Sequence, residues 1–274
     1  MCRILTGIVT YNPDIGRLKQ NLETITDQTD ELLIIDNASE NFSQIKTLAA
    51  GKFIELEKNH GIAYALRRLM DFANKNGYDW VLTLDQDSVA DSHLVDEYRK
   101  YMSDDIGAMT CLIRDRNYPE IEYENRGTEV ADIDWCITSG CLMNVKAYGN
   151  TSGYDTKMFI DCVDIDICYS LKEAGYRVIR IPYEGLLHEI GKAKRLKVLG
   201  RKTQTFNHPA WRRYYVNRNT VYLAKKHPEY GSVADAVGRC IYHTFITLIY
   251  EDDRMNKLKA NIRGIRDGIR GKMS

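Results

Sequence analysis

The sequence predicts an α/β fold, with a mostly parallel sheet covered by helices on both faces and a helical extension at the C-terminus. Three observations carry this prediction. Short strands that are apolar on both faces alternate with helical patterns through the first third of the chain. Polar residues follow the end of each of these strands. From residue 211 onward the patterns are helical.

The first βαβ unit is the clearest local pattern. Residues 3–10 (RILTGIVT) form a predicted strand, the YNPD turn follows, and an apolar stripe then predicts a helix. That stripe consists of Ile15, Leu18, Leu22 and Ile25. Two more strands are predicted over 31–39 and 52–56.

A second helix and a fourth strand complete the first half. Residues 61–75 place apolar residues at helical spacing, and Asn76-Gly77 provides a stop signal. The strand over 79–85 (DWVLTLD) ends in an acidic turn. The second half is less regular, with a strand pair or a strand and turn predicted within 135–145, a helix over 161–175 and a strand over 176–182.

The composition limits the classes of function. The chain has 274 residues, with 38 Lys and Arg against 38 Asp and Glu, so the global charge gives no reason to expect a nucleic-acid partner. Its seven cysteines include no CxxC pair, which favours reduced thiols over a disulfide framework or a zinc site. The N-terminus lacks a secretory signal pattern, and no segment approaches the ~18–20 apolar residues of a spanning helix. We therefore expect a cytoplasmic protein that is soluble or lies on a membrane surface.

Polar residues cluster at one predicted edge of the sheet. Ligands of open α/β sheets bind outside the carboxyl ends of the strands. The residues that fall just after those ends are Asn12, Asp36, Asn59, Asp85 and Asp87. Four strands therefore deliver polar side chains to one edge, which predicts a ligand site there.

The segment Asp85-Gln86-Asp87 predicts a metal and phosphate site. An Asp-x-Asp pattern alone is weak, because it recurs at 132–134 and 164–166 and most such pairs are solvated surface. Only the first ends an apolar strand, where side-chain alternation predicts that both carboxylates point to the same side. Hard divalent cations prefer carboxylate oxygens, so a nucleotide diphosphate with Mg²⁺ or Mn²⁺ is the expected occupant.

Asp161 and Asp164 are the candidate general bases. They lie three residues apart, on one face of the predicted helix, among apolar residues that favour partial burial. A partly buried carboxylate is a plausible proton acceptor. An ordinary polar helix face explains the same spacing without catalysis.

His188 follows the strand over 176–182 and precedes a loop rich in basic residues. These are Lys192, Lys194, Arg195, Lys197, Arg201 and Lys202. In one interpretation these residues neutralise the charge of a bound phosphate. In the other they form a lysine-rich loop exposed to solvent.

Other chemistries find little support. The sequence contains no GxGxxG after the first strand, no GxxxxGK[ST] and no GxSxG, which argues against a dinucleotide site, a P-loop and a hydrolase elbow. A sugar nucleotidyltransferase would need a glycine-rich basic loop after the first strand, and TYNPDIGRLKQ has a single glycine. A non-catalytic nucleotide-sugar-binding protein remains a third alternative.

Several short motifs occur in a characteristic order along nearly the whole chain. It runs through VTYNPDIGRLKQNLETITDQTDELLIIDNAS, NHGIA at 59–63, DQD at 85–87, SGC at 139–141, FIDCVDID at 159–166, His188, and HPAWRRYYVNRNTVYLAKKH at 208–227. In these segments the chain resembles the inverting family 2 glycosyltransferases of GT-A fold, most closely their bacterial rhamnosyltransferase-like branch. The resemblance implies a GT-A hexosyltransferase.

The resemblance also implies roles for the segments. The nucleotide-binding residues would be Thr10, Tyr11, Asn12, Asp36, Asn59 and Asp85. Asp87 and His188 would hold a Mg²⁺ or Mn²⁺ ion, and Ser139 and Gly140 would lie on the acceptor side. Asp164 would be the base. Many relatives have Glu-Asp where this chain has Val163-Asp164, so Asp161 is the alternative base.

The implied reaction is an inverting, metal-dependent transfer of a sugar to a hydroxyl of a glycan or lipid-linked acceptor in cell-surface polysaccharide synthesis. The rhamnosyl branch implies dTDP-β-L-rhamnose as donor, and a UDP-sugar is the alternative. The catalytic domain would cover residues 1–207, with a nucleotide-binding half to about residue 105 and an acceptor-side half over 106–207.

The C-terminal region over 208–274 has two interpretations. Apolar residues at helical spacing are Val237, Ile241, Phe245 and Leu248. Residues 254–272 contain seven basic residues and one opposing acid, Asp267. This pattern predicts peripheral contact with an anionic membrane. Packing on the catalytic domain or on a second subunit, as in a homodimer, explains it as well.

Overall fold

The computed structural model describes residues 2–49, 51–116, 128–189, 194–198, 201–205 and 207–273. Of residues 194–198 and 201–204 it describes the backbone. The chain forms two compact units. Unit 1 comprises Met1–Thr156 and Asp164–Glu189, and unit 2 comprises Lys157–Val163 and Ile190–Ser274.

Unit 1 holds a large sheet and its covering helices. Its strands are β1 (Ile4–Thr10), β2 (Glu31–Asp36), β3 (Lys52–Glu55), β4 (Trp80–Asp85), β5 (Val89–Ala90), β6 (Ile106–Asp115), β7 (Ala131–Asp132), β8 (Cys141–Asn144) and β9 (Arg177–His188). Its helices are α1 (Ile15–Ile25), α2 (Phe42–Leu48), α3 (Ile62–Lys75), α4 (Leu94–Arg99), α5 (Val145–Gly149) and α6 (Val163–Glu173).

The strands pair in the order β3-β2-β1-β4-β8-β6-β9-β5, and β7 pairs with β9. Strands β3, β2, β1 and β4 run parallel, as do β6 and β9. Strand β8 is antiparallel to both β4 and β6, and β5 and β7 are antiparallel to β9. Parallel pairing joins the longer strands, which confirms the predicted mostly parallel sheet.

Burial on both faces of the central strands explains the layered packing of unit 1. Strands β1 and β4 are buried along nearly their whole length, as a covered parallel sheet requires. Helix α1 buries Leu18, Leu22 and Ile25 from the predicted stripe. At Gly7 in β1, a Cβ would lie 2.1 Å from the Cδ2 atom of Leu69 on α3, so glycine permits this close helix–sheet approach.

Two predicted boundaries in the second half are wrong. The segment 135–145 contains one strand, β8, next to a turn, which is one of the two predicted arrangements. The helix predicted over 161–175 begins at Val163, because Asp161 and Cys162 have left-handed backbones with φ of 67° and 62°. The strand predicted over 176–182 continues to His188 as β9.

Unit 2 contains a hairpin and three long helices. The hairpin strands β10 (Lys194–Val198) and β11 (Arg201–Thr205) pair antiparallel, where the sequence predicted a basic loop. Lys192 lies outside the described residues, as do the side chains of the other basic residues in that segment. Helices α7 (Ala210–Lys226), α8 (Val233–Tyr250) and α9 (Arg254–Arg270) confirm the predicted helical region. No helix in the described part of the chain has the length and apolar character that crossing a membrane requires.

A buried ion pair joins three elements of unit 2. Lys257 Nζ lies 3.0 Å from Glu251 Oε2, and the two side chains are 3% and 2% exposed. The Thr205 hydroxyl donates to the other oxygen of Glu251, and Lys257 also donates to Asn207 Oδ1 at 2.5 Å. The pair therefore ties the end of β11 to the α8–α9 turn.

We expect Lys257→Met to destabilise the protein by about 3–5 kcal/mol, because it leaves the Glu251 carboxylate buried without its cation. Chemical denaturation measures this change. Lys259→Met, at an exposed position two residues along α9, is the matched control and should change the free energy of unfolding by less than about 0.5 kcal/mol. A small effect of Lys257→Met, similar to that of the control, would contradict the prediction.

Candidate active site

Asp85, Asp87 and His188 converge at the carboxyl edge of the sheet. One ligand atom from each residue lies within 4.8 Å of those of the other two. Asp85 ends β4 and His188 ends β9. Strand β5 follows the DQD turn and pairs with β9, with Val89 opposite Leu187, which brings the turn beside His188.

A turn, rather than strand alternation, places the two aspartates together. The backbone N–H of Ser88 donates to the carbonyl oxygen of Asp85 at 3.2 Å and closes this turn after β4. Asp87 therefore lies beyond the end of β4, whereas the sequence prediction treated it as a continuation of that strand. The prediction that the carboxylates lie on one side holds for a different geometric reason.

The other Asp-x-Asp segments have ordinary structural partners. Asp132 binds the Arg177 guanidinium at 2.8 Å, and Asp134 binds Lys172 Nζ at 2.5 Å. Asp166 is buried on α6. Convergence with His188 thus separates the 85–87 segment from the other two among the described residues.

Two buried serines connect the aspartates to His188. Ser88 Oγ lies 2.9 Å from His188 Nδ1 and 2.7 Å from Ser139 Oγ. Ser139 Oγ also accepts the backbone N–H of Asp85 at 3.0 Å. This hydroxyl chain fixes the imidazole ring and the end of β4. Ser88 was missed by the sequence reasoning, although it directly follows the DQD segment.

The backbone conformation at position 140, next to Ser139, requires glycine. Its φ is 77°, and a Cβ there would lie 3.0 Å from the Cδ2 atom of Leu186. Its N–H donates to the Thr83 carbonyl at 2.8 Å, and its carbonyl accepts the Tyr98 hydroxyl at 2.5 Å. The acceptor-side role of Ser139 and Gly140 stays a prediction.

Asp36 organises the loop after β2. It is fully buried, and its Oδ1 accepts the hydroxyls of Thr10 and Ser39 at 2.7 and 2.5 Å. Its Oδ2 accepts the backbone N–H of Ser39 at 2.7 Å. The carboxylate therefore holds the 37–39 turn, and contact with a nucleobase stays a prediction.

The loops after β1 and β4 are tied to this turn. Asn12 donates its backbone N–H to Ser39 Oγ and accepts the N–H of Glu40 on Oδ1, each at 2.8 Å. Tyr11 is 48% exposed, and its backbone N–H donates to Gln86 Oε1 at 2.9 Å. Gln86, between the two aspartates, was not singled out from the sequence.

Asn59 lies at the start of α3 and shapes the chain there. Its Oδ1 accepts the N–H of Gly61 at 2.9 Å. The neighbouring His60 donates its N–H to Asn37 Oδ1 at 2.8 Å, which links this turn to the loop after β2. The structure thus joins the loops after β1, β2 and β3 into one network.

Arg17 supplies positive charge next to the aspartates. Its Nη1 lies 3.9 Å from Asp87 Oδ2 and also pairs with Glu189, the residue after His188. Arg17 is in the first turn of α1, far along the chain from both partners. Periodicity did not indicate this contact.

The donor set at this edge fits a divalent cation. Two carboxylates and one imidazole are ligands that Mg²⁺ and Mn²⁺ accept. Carboxylates this close repel each other unless a cation compensates their charge.

Asp164 and Asp161 do not share a helix face. Asp164 is the second residue of α6, is partly buried, and accepts the N–H of Ile165 at 3.0 Å. Asp161 precedes the helix, and both its oxygens bind the guanidinium of Arg212, at 3.2 and 2.9 Å. The prediction of a common face is wrong because the left-handed backbone interrupts the helix before Val163.

Two buried residues of α7 hold the segment that contains Asp161. Asn219 Nδ2 lies within 3.0 Å of the carbonyl oxygens of Met158, Ile160 and Asp161. Arg218 donates to the carbonyl of Lys157 at 2.7 Å. Left-handed residues other than glycine cost of order 1–3 kcal/mol each, so these hydrogen bonds stabilise a strained segment of unit 2.

Comparison with known proteins agrees with this arrangement. The model of glycosyl transferase family 2 matches residues 6–166. The chain is 26% identical over 288 residues to the dTDP-rhamnosyl transferase RfbF of Shigella flexneri, and the match covers 98% of this chain and 96% of RfbF.

Two solved structures share the fold. The crystal structure of S. aureus TarS 1–349 in complex with UDP-GlcNAc matches with a TM-score of 0.63 and 12% identity, over 98% of this chain and 81% of that one. That of GalNAc-T7 with UDP, GalNAc and Mn²⁺ matches with a TM-score of 0.59 and 14% identity, over 98% and 56%. The chain spans 49% of the longer TarS structure. On the family match over 6–166, the chain belongs to glycosyl transferase family 2 and is a glycosyltransferase of GT-A fold, as its sequence predicted.

Proposed function

We propose that the protein is an inverting, metal-dependent rhamnosyltransferase, which transfers L-rhamnose from dTDP-β-L-rhamnose to a hydroxyl of a lipid-linked or polysaccharide acceptor in cell-surface glycan synthesis. The observation that carries the proposal is the convergence of Asp85, Asp87 and His188 at the carboxyl edge of the sheet. The donor is supported by the likeness to a dTDP-rhamnosyl transferase over 98% of the chain.

Asp85, Asp87 and His188 would hold Mg²⁺ or Mn²⁺. GalNAc-T7, which shares the fold, was crystallised with UDP and Mn²⁺. A divalent cation supplies positive charge that stabilises the departing nucleoside diphosphate. Arg17 adds a fixed cation beside Asp87, and Ser88 orients the His188 ring.

The loops after β1 to β3 would bind the nucleoside. The exposed Tyr11 ring is available to frame the base. Asp36 acts through Thr10 and the 37–39 turn, while Asn12 and Asn59 fix the adjoining loops. Their shared hydrogen bonds keep the nucleotide side in one conformation before the donor binds.

Asp164 is the base in this proposal. It takes the proton of the acceptor hydroxyl while that oxygen bonds to the anomeric carbon, and the bond from this carbon to the diphosphate oxygen breaks. Attack opposite the leaving group inverts the configuration and gives an α-L-rhamnoside. Asp161 is the weaker candidate, because both its oxygens already bind Arg212.

We place the reaction in the cytoplasm, with residues 1–207 as the catalytic domain and 208–274 as an extension outside the chemistry. The seven free cysteines support a reducing compartment. Hydrogen bonding among Cys136, Cys141 and Cys168, together with burial, raises the pKa of Cys136 and Cys168 well above the usual thiol value, so these two remain uncharged.

A donor panel tests the proposal. The protein is incubated with Mn²⁺ or Mg²⁺ and dTDP-β-L-rhamnose, dTDP-glucose, UDP-GlcNAc, UDP-galactose or GDP-mannose, and thermal shift and nucleotide release are measured. We expect dTDP-β-L-rhamnose to release nucleotide at least about tenfold faster than the others, which corresponds to about 1.4 kcal/mol of discrimination. Proton NMR of the product should show an α-linkage.

Each alternative has its own outcome. Faster turnover of a UDP-sugar would replace the donor and keep the enzyme class. If dTDP-glucose releases nucleotide as fast as dTDP-β-L-rhamnose does, the protein recognises the nucleotide and does not discriminate between the sugars. A response to no nucleotide-sugar would overturn the proposal.

A further inference from the structure

Helix α9 carries three large apolar residues on the solvent side. Met255, Ile262 and Ile269 are 63%, 58% and 48% exposed. They are spaced seven residues apart, so they form one row along the helix. An α-helix on the surface of a soluble domain normally turns such a row inward.

The inward face of α9 is mostly small and polar instead, with Ile265 packed against a small apolar cluster. Gly264 and Gly268 pack against α7, where added Cβ atoms would lie 2.5 Å from the Tyr214 carbonyl and 2.6 Å from that of Arg218. Asn261 accepts a hydrogen bond from Asn217 at 2.7 Å. These close contacts fix the orientation of α9, so its apolar row cannot turn inward without losing them.

Basic residues flank the exposed row. They are Lys259, Arg263, Arg266 and Arg270. The single acid of the helix, Asp267, is buried and lies 3.6 Å from Arg263 and 3.1 Å from Arg266. The outer surface of α9 is therefore both apolar and cationic.

Helix α8 also exposes large apolar residues. Ile241, Phe245 and Ile249 are spaced four residues apart and are 59%, 54% and 42% exposed. Tyr242 and Tyr250 are also exposed. The stretch 238–250 contains Arg239 and no acidic residue.

We propose that the exposed faces of α8 and α9 bind the headgroup region of an anionic lipid bilayer, with both helices lying along the surface. Apolar side chains would enter the acyl boundary while Lys and Arg contact lipid phosphates. A second copy of the chain fits less well. A two-fold interface sets one patch against its own copy, so it would bring two basic rows together.

Vesicle sedimentation of the full chain tests this inference. Vesicles of phosphatidylcholine alone are compared with vesicles that contain phosphatidylcholine and phosphatidylglycerol in equal parts. We expect at least tenfold stronger binding to the anionic vesicles. Ile262→Gln/Ile269→Gln and Lys259→Gln/Arg270→Gln should each weaken it by tenfold or more. Arg263 and Arg266 are left intact because they hold Asp267.

Lys19→Gln/Lys75→Gln is the matched control, because both lysines are exposed on unit 1. It should bind vesicles like the wild type. Circular dichroism and thermal melting verify that each variant is folded. Sedimentation velocity without lipid tests the competing possibility, a dimer that forms through the same surface.

Two outcomes overturn the inference. One is equal binding of wild type and both α9 variants to anionic vesicles. The other is a dimer in solution that the Ile262→Gln/Ile269→Gln variant abolishes, together with no vesicle binding by the wild type. That second result would assign the surface to a second copy. Neither outcome depends on the donor or on sugar transfer.

Discussion

Asp87→Asn should reduce sugar transfer by about 10²–10³-fold, the usual effect of removing one group that stabilises the charge of a leaving group. The amide is nearly the same size but lacks the negative charge that binds a divalent cation. Because Asp87 is partly exposed and its carboxylate lies close to that of Asp85, removal of its charge should leave folding stability unchanged or slightly higher. The measurements are kcat with saturating donor and the Mn²⁺ affinity by calorimetry.

Two matched variants separate the metal role from a general effect. Ser88→Ala keeps all three ligands and removes the hydroxyl at 2.9 Å from His188 Nδ1, so we expect Mn²⁺ affinity to fall about 10–100-fold. Asp132→Asn changes an aspartate of another Asp-x-Asp segment, which pairs with Arg177, and should leave Mn²⁺ affinity unaltered. Wild-type turnover and Mn²⁺ affinity in Asp87→Asn would show that the metal assignment is wrong.

The first half of the sheet could be predicted from the sequence because its signals are local. Strands β1 and β4 are mostly apolar, and chain order brings their carboxyl ends to one edge. Helix α2 and helix α4 were not predicted, since seven and six residues are too short for a clear helical period. Strand β6 was missed as well, and its pairing with β9 contains register shifts.

The details of the site depend on contacts between distant residues. His188 reaches the aspartates through the β5–β9 pairing and through Ser88, 100 positions away. The sequence prediction began helix α6 at residue 161 instead of Val163. A left-handed backbone is normally expected at glycine, but Asp161 and Cys162 adopt it here. Asn219, 58 positions after Asp161, accounts for this conformation through its side-chain amide. The spacing of apolar residues within one segment cannot predict such a contact between distant residues.

Asp164→Asn should lower kcat by about 10²–10⁴-fold, the range for loss of a general base, with the donor affinity retained. Asn keeps the shape of the side chain and the hydrogen bond from the Ile165 N–H at 3.0 Å, so the start of α6 should stay folded. Donor binding is measured by calorimetry and transfer by product formation, which separates the affinity for the donor from the chemical step. Asp164→Glu, which keeps the carboxylate, should recover part of the activity.

Asp161→Asn distinguishes the two candidate bases. It weakens the bidentate ion pair with Arg212, so we expect a loss of stability and a smaller loss of kcat than for Asp164→Asn. If Asp161→Asn lowers kcat more than Asp164→Asn does, the base is Asp161.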